Sequence, residues 1–241
     1  MKTVAIIQAR VGSTRLPGKV LRDVGGRTMI ERVVERLARS RTIDQVVVAT
    51  TSKLEDHALV EFCHSRNWSV FAGNEHDVLT RYVDAAHEYS ADRIVRITSD
   101  CPLIDPVLVD ETVDLFSSSI NNEYACNFYP RRHFPRGLDC EVLTRQTLKR
   151  LDRLAIEPRY REHVTLYAYR NAWQFTIASV CCERDWSHLR WTVDTEEDLQ
   201  LVNAIYEHFG NSEFSWKQVI DAYSTHPLWL DINRHCIQKV A

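Results

Sequence analysis

Short apolar runs alternate with helical patterns along the first half of the chain. Between these runs, apolar residues recur with helical spacing near residues 28–40, 53–66 and 77–89. The runs are typical of strands, and they are TVAII (3–7), QVVVAT (45–50), SVFAG (69–73) and RIVRIT (93–98). The first two are rich in β-branched residues, as are strands buried on both faces of a parallel sheet. This order predicts an α/β protein with a doubly wound, mostly parallel sheet.

The first predicted helix has both a start signal and an apolar face. Thr28 is followed three residues later by Glu31, which is the spacing of a capping box. One stripe along the helix is apolar and consists of Ile30, Val33, Val34 and Leu37. We therefore expect a capped helix that packs one face against the sheet.

The pattern changes after about residue 118. The stretch NFYPRRHFPRGLDCEVL is rich in aromatic residues, prolines and arginines, which favours a long loop or ribbon. Beyond it we expect helices near 144–155, 158–169, 195–209 and 215–224, and strands at 173–180 and 188–193. Thr195 or Asp194 is expected to cap the helix that contains EEDLQLVNAIYEHF. We expect a single domain over residues 1–241, with residues 120–172 as an inserted segment.

The charge balance argues against a polyanionic partner. The 241 residues carry a formal net charge of −3 and give a sequence pI of about 6.4, so no overall field attracts nucleic acid. With 44% hydrophobic and 26% charged residues, the chain has the composition of an ordinary globular protein. No apolar run approaches the roughly 18 residues that cross a bilayer, and the first run is too short for a signal peptide. We expect neither a nucleic-acid partner nor a membrane association.

Cysteine usage points to a reducing compartment. The seven cysteines are scattered without the spacing of metal ligands. Cys181 and Cys182 are adjacent, which is more typical of strand residues than of a redox pair. We therefore expect a reduced, cytoplasmic protein.

A loop with three cations follows the first predicted strand. In QARVGSTRLPGK the cations are Arg10, Arg15 and Lys19, and Gly12 and Gly18 allow backbone N–H groups to approach an anion closely. The arginines suit bidentate contact with phosphate oxygens, and the lysine supplies a compact positive charge. The loop lacks the glycine spacing of a Walker motif. A solvated surface loop is the alternative, but three cations directly after the first strand favour a triphosphate site.

Two aspartates lie at other predicted strand ends. Asp100 follows RIVRIT, and Asp194 follows HLRWTV. Each taken alone is more often the cap of a turn or a helix. Together with the cationic loop they favour a magnesium site, since Mg²⁺ is commonly held by one or two carboxylates plus substrate phosphates. Three further acidic residues suit the dipole of the following helix better than they suit a metal, namely Glu196, Glu197 and Asp198.

Three motifs together resemble the cytidylyltransferases that make CMP-activated sugar acids. They are IIQARVGSTRLPGK, TSDCPLIDP and LRWTVDTEEDL, and they extend from residue 6 to about residue 200. The similar enzymes are CMP-sialate and CMP-3-deoxy-manno-octulosonate synthetases and, closest, the spore-coat polysaccharide branch. The resemblance implies a glycosyltransferase-A-like (Rossmann-like) nucleotidyltransferase fold, CTP as co-substrate, Mg²⁺ as cofactor and a homodimer. In that case the inserted segment serves dimerisation or binds the acceptor.

The resemblance also assigns residues. The implied metal ligands are Asp100 and Asp194, and the implied catalytic residues are Arg10, Lys19 and Asp100. The implied nucleotide-binding residues of the first loop are Ala9, Arg10, Gly12, Ser13, Arg15 and Lys19. The octulosonate enzymes have Gln-Gly-Asp around the first aspartate, where this chain has Thr98 and Ser99. Because the missing Gln lies where the sugar would bind, the acceptor is left open.

Further candidates rest on weaker signals. The segment DVLTRYVDAA resembles the part of related enzymes that recognises the base, which makes Thr80 and Arg81 candidates for contacts with cytosine, although an arginine on a helix is usually solvated. Arg131, Arg132 and Arg136 are candidates to receive an acceptor carboxylate, because arginine binds carboxylates in a bidentate manner. Asp139 and Glu141 resemble the branch's Gly-x-Asp-x-Glu pattern and are candidates to bind sugar hydroxyls, and His163 is a candidate to reach the acceptor. The same residues suit a dimer arm.

The predicted reaction transfers CMP from CTP to a sugar acid or a related anionic acceptor. The acceptor hydroxyl attacks the α-phosphorus in line with the departing pyrophosphate, and catalysis is mostly positioning and charge stabilisation. The product would serve surface polysaccharide synthesis. Two alternatives stay open at this point, a glycosyltransferase that uses a finished nucleotide sugar and a non-catalytic nucleotide-sensing subunit.

Overall fold

The computed structural model of this protein describes residues 1–238, in which seven strands form one sheet and two form a small hairpin. The strands are β1 (Thr3–Gln8), β2 (Asp23–Val24), β3 (Arg27–Thr28), β4 (Gln45–Thr51), β5 (Ser69–Gly73), β6 (Arg93–Thr98), β7 (Tyr124–Cys126), β8 (Glu141–Thr144) and β9 (Ile177–Ser179). Across the large sheet their order is β5-β4-β1-β6-β8-β7-β9. The first four of these are parallel, and β8 is antiparallel to both of its neighbours.

Helices cover both faces of this sheet. They are α1 (Met29–Leu37), α2 (His57–Ser65), α3 (Val78–Glu88), α4 (Pro106–Ser117), α5 (Arg145–Leu154), α6 (Pro158–Glu162), α7 (Leu166–Arg170), α8 (Glu196–Phe209), α9 (Trp216–Ala222) and α10 (Trp229–Ile232). Within residues 1–238, no helix combines the length and the apolar character needed to cross a bilayer. The prediction of a mostly parallel α/β sheet is confirmed. The description as one domain with an inserted segment at 120–172 stays a prediction.

Local signals in the sequence position several of these elements. Thr28 and Glu31 form the predicted capping box at the start of α1. Thr195, rather than Asp194, is the N-cap of α8, where its side chain accepts a hydrogen bond from the Asp198 N–H. Asp105 caps α4 and also accepts a hydrogen bond from the Trp216 N–H at 2.7 Å. The four predicted strands of the first half are present as β1, β4, β5 and β6.

The strand predicted at residues 188–193 is wrong. Among residues 1–238 this segment makes a single isolated bridge, between Arg136 and Arg190. Its apolar alternation has another cause, because Leu189, Trp191 and Val193 pack into a cluster with helices α8 and α9 and not onto the sheet. An alternating pattern reports burial on one side and does not reveal whether the neighbour is a strand or a helix.

Two other predicted elements are shorter than expected. The strand predicted at 173–180 begins only at Ile177, and a 3-10 turn (Ala172–Gln174) precedes it. The helix predicted at 158–169 divides into α6 and α7, because Val164 between them has a φ of 45°. A left-handed backbone at a β-branched residue interrupts helical hydrogen bonding.

The sheet topology brings two loops side by side. The chain leaves β1 to continue at β4 on one side, while β6 pairs with β1 on the other, so the loops that follow β1 and β6 flank a topological switch point. Ser99 N–H donates to the Gln8 carbonyl at 3.0 Å and holds the two strand ends together. A third segment joins them, since Val193 N–H donates to the Asp100 carbonyl at 2.8 Å. Ligands of such folds bind in this crevice.

A close backbone approach fixes the 188–193 segment against the loop before β8. Trp191 N–H donates to the Arg136 carbonyl at 2.7 Å. The next residue, Gly137, has a φ of +99°, and a Cβ placed there would lie 2.6 Å from the Thr192 backbone nitrogen. No side chain fits this contact without a shift of the backbone.

We expect Gly137→Ala to lower the free energy of unfolding by about 3 kcal/mol, because backbone strain and steric overlap act together. The matched control is Gly26→Ala, where φ is +85° and no atom lies within 4 Å of the added Cβ. The control should cost only about 1–2 kcal/mol, the strain of the left-handed backbone alone. Denaturant unfolding followed by circular dichroism measures both values. Equal losses in the two variants would show that the contact with the 188–193 segment is not tight.

Candidate active site

The loop after β1 is attached to β4 and to the turn that follows β4. Ala9 is almost fully buried, and its N–H donates to the Ala49 carbonyl at 3.1 Å, which extends the pairing of β1 with β4. Val11 N–H donates to Asp56 Oδ1 at 2.6 Å. A 3-10 turn, Lys19–Leu21, then directs the chain towards α1. The backbone on either side of Arg10 is therefore fixed by hydrogen bonds.

Lys19 lies at the point where the three segments meet. Its Nζ donates to the Val193 carbonyl and to Asp194 Oδ1, both at 2.8 Å, and lies 3.4 Å from Asp100 Oδ2. Burial lowers the pKa of this ammonium, but the charges of Asp100 and Asp194 outweigh burial and raise the pKa above its usual value. Lys19, Asp100 and Asp194 are far apart in the sequence and meet in the structure. With its raised pKa, Lys19 is a cation in this environment.

Asp194 is surrounded by positive charge. Lys19 contacts its Oδ1. The other oxygen, Oδ2, accepts from Arg15 at 2.9 Å and from Arg190 at 3.0 Å. Burial raises the pKa of this carboxyl, yet Lys19, Arg15 and Arg190 together hold the pKa below its usual value. Asp194 is therefore a carboxylate over the whole neutral range.

Behind Asp194 lies a buried ion pair that sequence reasoning missed. Asp198 is fully buried, and its two oxygens accept from Arg190 at 2.9 and 3.0 Å. The same carboxylate accepts from the backbone N–H groups of Asp194 at 3.0 Å and Thr195 at 3.1 Å. Asp198 thus fixes the backbone that carries Asp194, in addition to suiting the helix dipole as predicted. The Thr-x-x-Asp spacing of the capping box was the available signal.

The residues around Lys19 fit a hard divalent cation. Asp100 and Asp194 each direct one carboxylate oxygen to within 3.4 Å of the same ammonium nitrogen. The location therefore already favours positive charge, and its ligands are the oxygen type that Mg²⁺ prefers. The Asp100 side chain is 25% exposed, which leaves it accessible from the crevice. The metal-binding roles of the two aspartates stay predictions.

Five of the six predicted acceptor residues line one cavity of about 320 Å³ beside the aspartates. They are Arg132, Arg136, Asp139, Glu141 and His163. An adjoining cavity of about 420 Å³ is lined by Asp100 and Asp194 and shares three of these residues, Arg136, Asp139 and His163. The structure thus places the predicted acceptor residues next to the predicted metal ligands, although nothing in it tests their roles.

The two carboxylates that line the cavity of about 320 Å³, Asp139 and Glu141, already have cationic partners. Arg132 forms a bidentate pair with Asp139, with the longer contact at 2.7 Å. Glu141 is buried, and its carboxylate accepts from Arg96, from Thr165 and from the Tyr124 hydroxyl. Glu141 therefore holds the cavity wall in place and has little capacity left for a sugar hydroxyl.

Two other acceptor candidates differ in their surroundings. His163 is half-buried at the end of α6, and burial lowers the pKa of its ring. Arg131 is largely exposed and pairs with Asp185 at 2.9 Å on the surface. His163 thus lines the cavity as a mostly neutral ring at neutral pH.

The two candidates on α3 are both engaged with protein groups. Arg81 is 1% exposed, so the alternative of a solvated helix arginine is wrong. Its NH1 donates to the Asn74 carbonyl at 2.6 Å, while its Nε is buried without a partner among residues 1–238. The Thr80 hydroxyl accepts from Arg161 at 2.7 Å, and Arg161 also pairs with Asp77. Their predicted contacts with cytosine stay untested.

Sequence reasoning did not single out Arg96 and Gln238, which also line the cavity of about 320 Å³. A signal existed for Arg96, because Arg96 and Thr98 share a face at the end of β6 by the period of 2, and Asp100 follows two residues after this strand. Gln238 has no such signal, because its place depends on how residues 233–238 pack against distant segments.

Comparisons with known proteins agree with this geometry. The family model described as Cytidylyltransferase matches residues 4–225. An uncharacterized protein of Methanocaldococcus jannaschii is 38% identical over 99% of this chain and 97% of its own length. The spore coat polysaccharide biosynthesis protein SpsF of Bacillus subtilis is 34% identical over 85% of this chain and 86% of its own. A 3-deoxy-manno-octulosonate cytidylyltransferase of Escherichia coli is 30% identical over 70% of this chain and 72% of its own.

Solved structures agree as well. A cytidylyltransferase from Leptospira borgpetersenii superimposes with a TM-score of 0.91, at 38% identity over 100% of this chain and 99% of that one. A CMP:2-keto-3-deoxy-manno-octonic acid synthetase in complex with CTP shares the fold alone, with a TM-score of 0.66 and 22% identity over 87% of this chain and 100% of that one. With the motifs, the sheet and the match over residues 4–225 in agreement, this chain belongs to the cytidylyltransferase family, and it is a CTP-dependent nucleotidyltransferase.

Proposed function

We propose that this enzyme transfers CMP from CTP to a sugar acid or a related anionic acceptor, with Mg²⁺ as cofactor. The product serves surface polysaccharide synthesis, as the name of the SpsF relative suggests. One observation carries the proposal. Carboxylate oxygens of Asp100 and Asp194 both lie within 3.4 Å of Lys19 Nζ, directly beside the cavity lined by the acceptor candidates. A nucleotide tail and an acceptor would therefore meet at that point.

The chain's own residues account for the reaction. An acceptor hydroxyl oxygen forms a bond to the α-phosphorus of CTP, the bond from that phosphorus to the β-phosphate oxygen breaks, and the hydroxyl proton passes to solvent. Arg10, Arg15 and Lys19 receive the β- and γ-phosphates as negative charge grows on the departing pyrophosphate. The backbone at Gly12 and Ser13 supplies N–H donors for the same phosphates. Positioning of the two substrates provides most of the remaining acceleration.

Asp100 and Asp194 are the residues that would hold Mg²⁺. A divalent ion held there would supply positive charge to the phosphate oxygens. The contacts of Asp194 with Arg15 and Arg190 keep this carboxylate ionised and oriented before any ligand arrives. The Lys19 ammonium, which contacts both aspartates, would stabilise negative charge on the pyrophosphate.

Charge in the acceptor cavity favours an anion. The carboxylates of Asp139 and Glu141 are neutralised by Arg132 and Arg96. Arg136 lines the same cavity and has no salt-bridge partner among residues 1–238, so the local balance is positive. A carboxylate or a similar anion is the ligand that matches a guanidinium there. We keep the expectation of a cytoplasmic homodimer in which residues 120–172 contribute to the interface or the acceptor site.

Pyrophosphate release from CTP tests the reaction. We expect release to require both a sugar acid, from a panel that includes 3-deoxy-manno-octulosonate and N-acetylneuraminate, and Mg²⁺. Chelation by EDTA should stop it, and added Mg²⁺ should restore it. Consumption of a finished nucleotide sugar without pyrophosphate would instead identify a glycosyltransferase. Binding of CTP without either reaction would identify a nucleotide-sensing protein.

We expect Lys19→Ala to lower kcat at saturating CTP by about 10²-fold or more, because it removes a preorganised positive charge from the leaving group. The matched control is Lys217→Ala, which removes an exposed lysine of α9 and should keep wild-type turnover. Steady-state pyrophosphate release measures both variants. Near-normal turnover of Lys19→Ala would remove this residue from the mechanism.

A further inference from the structure

The segment after α10 is attached to the start of α8. Asn233 is buried, and its amide nitrogen donates to the Arg190 carbonyl at 2.9 Å and to Asp198 Oδ1 at 2.8 Å. Cys236 N–H donates to the Asn233 carbonyl at 2.9 Å and closes a turn. Residues 233–236, which we name the 233–236 turn, are therefore held against the N-terminal end of α8.

Three side chains of different chemistry meet where this turn contacts α8. They belong to Glu197, His235 and Cys236, and one possible ligand atom of each lies within 4.8 Å of the other two. His235 Nε2 lies 3.6 Å from Glu197 Oε1. In a tetrahedral zinc site, bonds of about 2.0–2.3 Å place the ligand atoms roughly 3.3–3.6 Å apart. The three groups are therefore close to the separation that one bound ion requires.

The chemistry of these side chains favours zinc over magnesium. A thiolate sulfur and an imidazole nitrogen are ligands that Zn²⁺ prefers, whereas Mg²⁺ takes oxygen ligands. Glu197 adds one carboxylate oxygen, which Zn²⁺ also accepts. The His235 side chain is 67% exposed and Cys236 is partly exposed, so an ion can enter from solvent and a water molecule can complete four-fold coordination.

The surroundings of Cys236 suit the thiolate form that a metal needs. Its Sγ lies 3.2 Å from the hydroxyl oxygen of Thr195, the N-cap of α8. That hydroxyl accepts from the Asp198 N–H at 3.3 Å, so it can donate its own hydrogen to the sulfur. The N-terminal end of a helix carries partial positive charge, which also favours a thiolate over a thiol.

We propose that Glu197, His235 and Cys236 form a binding site for one Zn²⁺ ion. The ion would fasten the 233–236 turn to α8, which begins two residues after the predicted magnesium ligand Asp194. The two metal sites differ in chemistry, since the predicted magnesium site offers carboxylate oxygens alone. The zinc site does not depend on the proposed transfer reaction, because its ligands take no part in that reaction.

Cobalt binding to the reduced, metal-free chain of 241 residues tests the site, because Co²⁺ replaces Zn²⁺ and absorbs visible light. We expect one Co²⁺ per chain, with the strong visible bands of a tetrahedral site and a thiolate-to-cobalt charge-transfer band in the near ultraviolet. Added Zn²⁺ should remove both, whereas equimolar Mg²⁺ should not. The charge-transfer band should disappear in Cys236→Ser. In His235→Ala the affinity for Co²⁺ should fall by more than about ten-fold, since even groups that only support a metal ligand contribute that much.

The matched control is Cys181→Ser, which removes an exposed thiol and should leave both bands unchanged. A wild-type chain without the charge-transfer band, or a band that persists in Cys236→Ser, would overturn the proposal. Loss of the band in Cys181→Ser would also overturn it, because the cobalt would then be bound by the adjacent Cys181 and Cys182.

Thermal unfolding gives a second measurement that also reports on the fold. An ion that binds the native state raises Tm, so Zn²⁺ should raise the Tm of wild type and of Cys181→Ser. It should leave the Tm of Cys236→Ser unchanged, while this variant still unfolds cooperatively in EDTA. An equal rise in Cys236→Ser would show that the stabilising ion binds elsewhere, and it would contradict the proposal.

Discussion

One ammonium group connects three distant parts of this protein. Lys19 binds Asp100 and Asp194, which lie 81 and 175 positions further along the chain, and it also binds the carbonyl that precedes Asp194. A mostly buried cation is stable only beside negative charge, because burial alone disfavours its charged form. The two carboxylates provide that charge. The loop after β1, the loop after β6 and the segment before α8 are therefore held in one arrangement, and the proposed chemistry depends on that arrangement.

A second layer of charge supports the first. Arg190 connects Asp194 with the buried Asp198, and Asn233 completes the hydrogen bonding of that pair. Buried ion pairs of this kind contribute little net stability, because desolvation offsets their attraction. Their benefit is orientation, since groups that are already fixed need no reorganisation when charge develops on a phosphate. In this protein we therefore attribute orientation of Asp194, rather than net stability, to Arg190 and Asp198.

The two halves of the sheet carry different parts of the proposed reaction. The parallel half, with β1 and β6 at the switch point, holds the cationic loop and Asp100. The half that contains β8, together with the loop before it, α6 and α7, forms the cavity proposed to bind the acceptor. Parallel strands fix the nucleotide end with little freedom to vary, whereas loops on the other half can change shape without disturbing the core. Such a division allows one family to activate different acceptors.

The sequence by itself determined the four parallel strands, the caps at Thr28 and Thr195, the cationic loop and the two aspartates at strand ends. These are local features, since periodicity, capping and the residue after a strand all depend on neighbours in the chain. The sequence pattern wrongly predicted a strand at residues 188–193, where the alternation of apolar residues comes from packing on helices. It also contained no signal for Gln238. Only the tertiary structure decided that Lys19 lies between Asp100 and Asp194, that Arg81 is buried, and that Gln238 lines the cavity of about 320 Å³. The physical reason is that such contacts depend on which distant segments pack together, and no local pattern of residues encodes that choice.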